Sequence, residues 1–344
     1  MEAQSLTETL TMSAAQFPSR RALSISGRFD LTYSRLHELV EEAAHLLISH
    51  GVRHGDVIAL TFPNTVEFVI TLMAVIRARG VAAPLNSAYT AEEFDFYLSD
   101  SDSTLLNTSD SDEGNGPAQA AAAKLGIPHA TVSLSNPSLP ISLYLPARLS
   151  GPVDPGPVHH NEPSDVALFL HTAGTTSRPK GVPLTQLNLA ASVNNIRSVY
   201  RLAASDSSVL VHPLFHVHGL VAGLLSTLSA GSAVTLPSSG RFSASSFWPD
   251  MLAYTATCCC ASLEPATLYQ MEKAFGAPVL EAYAMTEAAH QMSSNPLPED
   301  GPNKAGSVGQ EIVVLDERGS QPLPLVPGEI WRISEIGLSY PMTC

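Results

Sequence analysis

Cysteine is scarce in this chain, with four in 344 residues, at positions 258, 259, 260 and 344. Three adjacent thiols cannot supply the C-x-x-C spacing of a metal knuckle, and so low a count excludes a disulfide-built scaffold. Free thiols in a reducing compartment are expected. Basic residues are also few: 18 Lys and Arg stand against 32 Asp and Glu, a formal net charge of −14. With no basic run and no basic–aromatic stripe, nucleic acid is excluded as a partner. The segment Met1-Glu-Ala-Gln-Ser-Leu6 lacks a basic region leading into an apolar one, so no signal peptide is expected. Pro341-Met-Thr-Cys344 is not a peroxisomal address, and a cytoplasmic location is expected. Long apolar runs are missing too. The nearest, from Gly219 to Leu236, is broken by Ser226, Thr227, Ser229 and Ser232, and reads as a buried helix and strand rather than a membrane span.

The remaining composition is ample for a core, since 44% of residues are apolar and only 15% are charged. Leu36, Leu39, Val40, Ala43 and Leu47 mark one face of a helix, and Gly51 sits where its C-terminal cap belongs. Val57-Ile-Ala-Leu60 reads as a buried strand. Asn64, with Glu67 three residues on, is expected to cap a helix, and Val81-Ala-Ala-Pro-Leu85 returns as a strand. Thr90-Ala-Glu-Glu93 is a capping box. This rhythm predicts right-handed crossovers and a largely parallel sheet in an α/β fold. Seven prolines between Pro137 and Pro163 predict an irregular crossover, dividing the chain into a first α/β subdomain (1–136), a crossover (137–165) and a second subdomain (166–330), followed by an atypical tail (331–344). In the second half, Leu189, Val193, Ile196 and Tyr200 predict a helix, and Ser208 to His212 a strand.

The most telling stretch is Leu168-Phe-Leu-His-Thr-Ala-Gly-Thr-Thr-Ser-Arg-Pro-Lys-Gly-Val182. An apolar strand enters a loop in which Thr172, Thr175, Thr176 and Ser177 offer hydroxyls, Gly174 lets backbone approach a ligand, and Lys180 adds positive charge. A helix is expected directly after Gly181, so that its N-terminal amides would face a polyphosphate. The spacing is not that of the common P-loop.

A second motif, His212-Pro-Leu-Phe-His-Val-His-Gly-Leu220, comes after the predicted strand. His216 and His218, two residues apart on a strand, would face one side. Metal binding, substrate contact and simple packing all stay open for them. The third motif is Pro278-Val-Leu-Glu-Ala-Tyr-Ala-Met-Thr-Glu-Ala-Ala-His290, an apolar strand running into Thr286-Glu287.

Taken in order, these motifs resemble those of the AMP-forming acyl-activating (adenylate-forming) enzymes. Their phosphate loop reads roughly T-S-G-T-T-G-x-P-K-G, and their later element Y-G-x-T-E has Ala284 here in place of glycine. The resemblance runs from about Phe17 to Glu329 and implies the large N-terminal domain of that family, with mostly parallel sheets flanked by helices. By it, Thr172, Gly174, Thr175, Thr176, Ser177 and Lys180 would bind ATP phosphates. Ser262, Ala282 and Tyr283 would meet adenine, Thr286 the α-phosphate, and Glu287 would ligate Mg²⁺. His216, His218 and His290 would face the acid. The implied reaction is attack of a carboxylate on ATP, then transfer to CoA. Oxalate is the expected acid and a coumarate-like acid the alternative. A catalytically inactive nucleotide-binding or regulatory chain is the competing expectation.

The sequence also departs from the family pattern. A segment is expected to be missing between Thr257 and Cys258, and a shorter one near Gly309-Gln310. After Gly328-Glu-Ile330 the family's ribose-binding aspartate and C-terminal lid do not appear. The domain is therefore expected to be incomplete and impaired, with association through exposed sheet edges.

Overall fold

The computed structural model describes residues 5–109, 116–136, 138–144, 158–172, 178–257, 272–273, 276, 278–301 and 307, with backbone alone at 313–315 and 329–331. Helix α1 (Leu6–Gln16) starts at Ser5, whose hydroxyl accepts from the Glu8 amide, and leads to the antiparallel pair β1 (Arg21–Ile25) and β2 (Phe29–Thr32). Thr32 caps α2 (Tyr33–Ser49), which buries Leu36, Leu39, Val40, Ala43 and Leu47 as their spacing predicts. Gly51 comes next at φ 101°, a left-handed turn that suits glycine.

The chain then alternates through β3 (Val57–Thr61), α3 (Val66–Arg77), β4 (Val81–Leu85), α4 (Ala91–Asp100), β5 (Ser103–Ser109), α5 (Gly116–Leu125) and β6 (His129–Ser133). Adjacent strands among these pair in parallel, as the rhythm predicts. The capping box at Thr90 forms, Thr90 and Glu93 each accepting from the other's amide. Asn64 is not a cap. Thr65 takes that place, its hydroxyl accepting from the Phe68 amide, because the Asn64 side chain is occupied elsewhere.

Beyond β7 (Ser142–Tyr144) lie β8 (Val166–Thr172), β9 (Lys180–Thr185), α6 (Gln186–Val199), β10 (Ser207–Val209), a π-helix (His218–Leu225), α7 (Ser226–Ser229), β11 (Ala233–Leu236) and α8 (Ala244–Ala253). Then come β12 (Ala282–Met285), β13 (His290–Ser294), β14 (Val313–Leu315) and β15 (Glu329–Trp331). The larger sheet has seven strands in the order β7-β6-β5-β3-β4-β8-β9, and the smaller has four, β10-β11-β1-β2. Both sheets draw strands from either side of residues 137–165, so the crossover expected there does not separate them. Parallel pairing causes this, since β1 needs β11 and β4 needs β8 as neighbours.

Helices α2 and α3 pack on each other between the sheets, α2 touching β1 and β2 while α3 touches β3, β4 and β6. One apolar core joins Leu23 and Val234 of the small sheet, Leu39 and Ile70 of the helices, and Ile58 and Leu168 of the large sheet. A second cluster, around Phe94, Leu98 and Leu106, seals α4 and α5 on the other face. No helix among the described residues is long and apolar enough to cross a membrane.

Candidate nucleotide and acid site

Strands β8 and β9 form an antiparallel hairpin, in register from Val166 opposite Thr185 to Thr172 opposite Lys180. The hydroxyl-rich loop is therefore a hairpin connection, and the helix expected after Gly181 begins only at Gln186. Residues 180–185 make ladder bonds to β8 instead of starting a turn of helix, which removes the helix dipole from this loop. Any attraction for anions then comes from hydroxyls, backbone amides and the cations Lys180 and Arg178 on the second limb. Thr172 and Lys180 face each other at the base, and Lys180 is exposed with no ion pair among the described residues. Gly181 is required by its neighbour, since a Cβ there would lie 2.2 Å from Cζ of Phe169. Gly174, Thr175, Thr176, Ser177 and Ser262 lie outside the described residues.

Strand β12 leads to a single 3₁₀ turn, Thr286–Ala288, before β13. Ala289 and His290 then both adopt positive φ, 54° and 112°. Such strain costs on the order of 1–3 kcal/mol per residue and persists only where surroundings impose it. Ser192 on α6 helps to do so, its hydroxyl donating to the Ala289 carbonyl at 2.7 Å. The turn lies against β9, with Cα atoms within 8 Å. Thr286 and Glu287 thus stand beside the strand that opens with Lys180. Glu287 is half-buried and forms no ion pair among the described residues. An unpaired carboxylate with partial access suits a hard cation. No group of three His, Cys, Asp or Glu that could hold a metal occurs among the described residues, so a cation here would lean on one carboxylate plus phosphate and water oxygens, the manner of Mg²⁺. Tyr283 is half-buried and Ala282 exposed on β12, opposite Ser293 and Ser294.

The histidines converge, though not as expected. Residues 212–216 run through bends and a turn and Val217 is already helical, so His216 and His218 do not share a strand face. His218 opens the π-helix and His216 precedes it, its Nδ1 accepting from the His218 amide at 3.2 Å. Across 72 residues of sequence, His290 Nε2 and His218 Nδ1 share a hydrogen bond of 2.8 Å. The His212 ring stands edge-on to His218 at 4.5 Å, and His218 to His290 at 4.8 Å. Burial, with the neighbouring imidazoles adding to it, pushes His218 down to about 4 and His290 to about 3. Both are neutral near pH 7. Their outer atoms, Nε2 of His218 and Nδ1 of His290, have no hydrogen-bond partner among the described residues. Whichever tautomer the pair adopts, one of these is an N–H donor and the other a lone pair. A buried donor left unmatched costs about 1–3 kcal/mol, so the pair is built to meet something polar.

Asn64 organises this corner. Its Nδ2 donates to the His212 carbonyl and its Oδ1 accepts from the Leu214 amide, each at 2.9 Å. Gly219 lets the π-helix close on the same turn, because a Cβ would meet the Pro213 carbonyl at 2.4 Å. Neither the role of Asn64 nor the part played by His212 was visible in sequence. The nearest signal was only that His212 opens the motif containing His216 and His218.

Comparison with known proteins agrees with this architecture. The AMP-binding enzyme family model matches residues 10–262 and 253–338, two stretches that meet where the sequence pointed to a missing segment. The oxalate–CoA ligase of Arabidopsis thaliana is 57% identical over 366 residues, an alignment spanning 96% of this chain and 71% of that protein. Because 366 exceeds the 344 residues present, the relative carries residues that this chain does not. The oxalate–CoA ligase of Saccharomyces cerevisiae is 34% identical over 83% of this chain and 60% of its own length. The crystal structure of apo MatB from Rhodopseudomonas palustris superposes with a TM-score of 0.78 at 24% identity, covering 95% of this chain and 69% of that one. With this sheet order, a family model that matches most of its length and a relative at 57% identity, the chain is a member of the AMP-binding enzyme family.

Proposed function

We propose that this chain is an oxalate-activating member of the AMP-forming acid–CoA ligases, impaired by the segment missing between Thr257 and Cys258: the intact reaction forms an acyl-adenylate and pyrophosphate from the acid and MgATP, and then passes the acyl group to CoA with release of AMP. The observation that carries the acid is the His218–His290 pair. It presents one N–H donor and one lone pair, both buried and unmatched among the described residues, where a hydroxycinnamate would call for apolar walls. The 57% identity to a plant oxalate–CoA ligase supports the same acid.

In this reading a carboxylate oxygen of the acid attacks the α-phosphorus while the bond to the β-phosphate oxygen breaks. Both reactants are anionic, so the barrier falls only if charge is neutralised in place. Lys180 supplies a cation at the β- and γ-phosphates, with Thr172 and the hydroxyls of Thr175, Thr176 and Ser177 donating beside it. Gly174 lets the backbone approach those phosphates. Thr286 orients the α-phosphate by its hydroxyl. Bound Mg²⁺, held by Glu287, would supply a Lewis-acidic charge at the phosphates. Ala282 and Tyr283, with Ser262, flank the adenine. Of His218 and His290, whichever carries the outer N–H donates it to the acid while the pair orients it, and His216 beside them also faces the acid and accepts from the His218 amide.

Pyrophosphate release from the purified chain, with oxalate, coumarate or no acid beside MgATP, tests the reading. Release dependent on oxalate and weaker with coumarate is expected. A preference for coumarate would sink the assignment of acid. ATP binding without release under any acid would favour a nucleotide-binding protein that does not turn over.

A further inference from the structure

Asp100, the last residue of α4, stands against both described flanks of the hydroxyl-rich loop. Its Oδ2 accepts from Nε2 of His171 at 3.1 Å, and its Oδ1 faces Nη2 of Arg178 at 3.8 Å. His171 immediately precedes Thr172 on one limb, and Arg178 lies two residues before Lys180 on the other. The His171 side chain is only 5% exposed. Rings surround it, with Tyr97 edge-on at 4.7 Å, Phe169 at 5.2 Å and Phe96 at 6.2 Å. The Arg178 guanidinium in turn lies 5.2 Å above the Phe96 ring.

The ladder between β8 and β9 already holds the two limbs together, from Val166 to Lys180. Asp100 adds a fixed attachment of both limbs to α4. Burial holds the His171 imidazole below the usual histidine range despite the carboxylate beside it, so the contact is a neutral N–H donating to an anion. Among the described residues the negative charge of Asp100 is then met by Arg178, which keeps an anion close to a phosphate-binding limb from repelling the ligand.

We infer that Asp100 is a positioning residue for recognition of terminal phosphates: by bridging His171 and Arg178 it sets where Thr172 and Lys180 stand relative to Thr286 and Glu287. The inference rests on the reading that this hairpin binds a polyphosphate. Titration calorimetry of the full chain with MgATP, and separately with AMP, distinguishes the two ideas, because AMP has no β- or γ-phosphate. Losing a charge-assisted hydrogen bond should make Asp100→Ala weaken MgATP about tenfold and AMP less than about twofold. Asp100→Asn keeps an acceptor for His171 but not the charge for Arg178. It should fall between, near Arg178→Ala, and both of these carry the test if Asp100→Ala fails to fold. Equal losses for ATP and AMP, or none for ATP, would overturn the inference while leaving the polyphosphate reading intact. A wild-type chain that binds AMP as tightly as MgATP would overturn both.

Discussion

His290 combines burial, a positive φ and an imidazole partner far away in sequence, and each of these has a measurable consequence. Its value near 3 and that of His218 near 4 lie below the ordinary 6.5 of an unfolded chain. The unfolded state therefore binds more protons between those limits, and stability is complete above about pH 6.5 and falls as pH drops toward 4. Thermal melts at pH 7, 6 and 5 should show a drop that His290→Gln reduces, and an unchanged drop would count against the pair as its source. The same variant should raise the KM for oxalate several-fold, about 1–2 kcal/mol for a lost buried hydrogen bond. An unaltered KM would remove His290 from the acid pocket. At this scale the sequence was partly legible. His216, His218 and His290 could be singled out by their chemistry and by the family resemblance, and the structure brings them together. Their contact could not, since a hydrogen bond across 72 residues leaves no local mark.

Among the elements, the hairpin shows where local reasoning stops. The strand was legible from its apolar run as far as Leu170, two residues short of its end at Thr172, and the Thr90 capping box from its spacing. Past the loop, strand β9 stands in place of the expected helix, because Lys180 to Thr185 carry no strong strand pattern and are held extended by pairing with β8. Thr65 displaced Asn64 as a cap for a similar reason, since either residue can cap and tertiary contacts to His212 and Leu214 decided which one did. Gly181 gives a direct test of the hairpin packing. Gly181→Ala puts a methyl into the Phe169 ring and should cost roughly 1–3 kcal/mol in denaturant melts, an overpacking penalty. Phe169→Leu in the same chain should recover part of that loss. Additive losses would mean that the ring is not the obstacle.

For the whole molecule, Asp165 ties two distant segments, at His54 and Arg79, to its own turn at the entry to β8. Arg79 grips it at 2.8 and 2.9 Å, His54 Nε2 reaches it at 3.0 Å, and the Glu162 amide donates at 2.9 Å. Burial alone would raise its carboxyl, but the Arg79 and Glu162 hydrogen bonds outweigh that and hold it below the usual range. Its contribution is present above the unfolded carboxylate value and is lost as pH falls through the lower folded one. Asp165→Ala leaves Arg79 only the exposed Glu162 as partner and should cost about 1–3 kcal/mol in chemical denaturation, and no measurable loss would contradict the account. The parallel architecture was legible from the alternation of helix and strand. The sharing of strands between sheets across residues 137–165 was not, because strand order is settled by contacts that no local pattern encodes.

In the proposed reaction, Lys180 and Glu287 act on one bound nucleotide from opposite sides of a shared cleft, and every other assignment depends on that. A double-mutant cycle on MgATP affinity, with Lys180→Ala, Glu287→Gln and the pair together, measures it most directly. A coupling of at least about 0.5 kcal/mol, with each single variant weakening MgATP, is the predicted result. Strictly additive losses, or single variants that bind MgATP as the unaltered chain does, would contradict it.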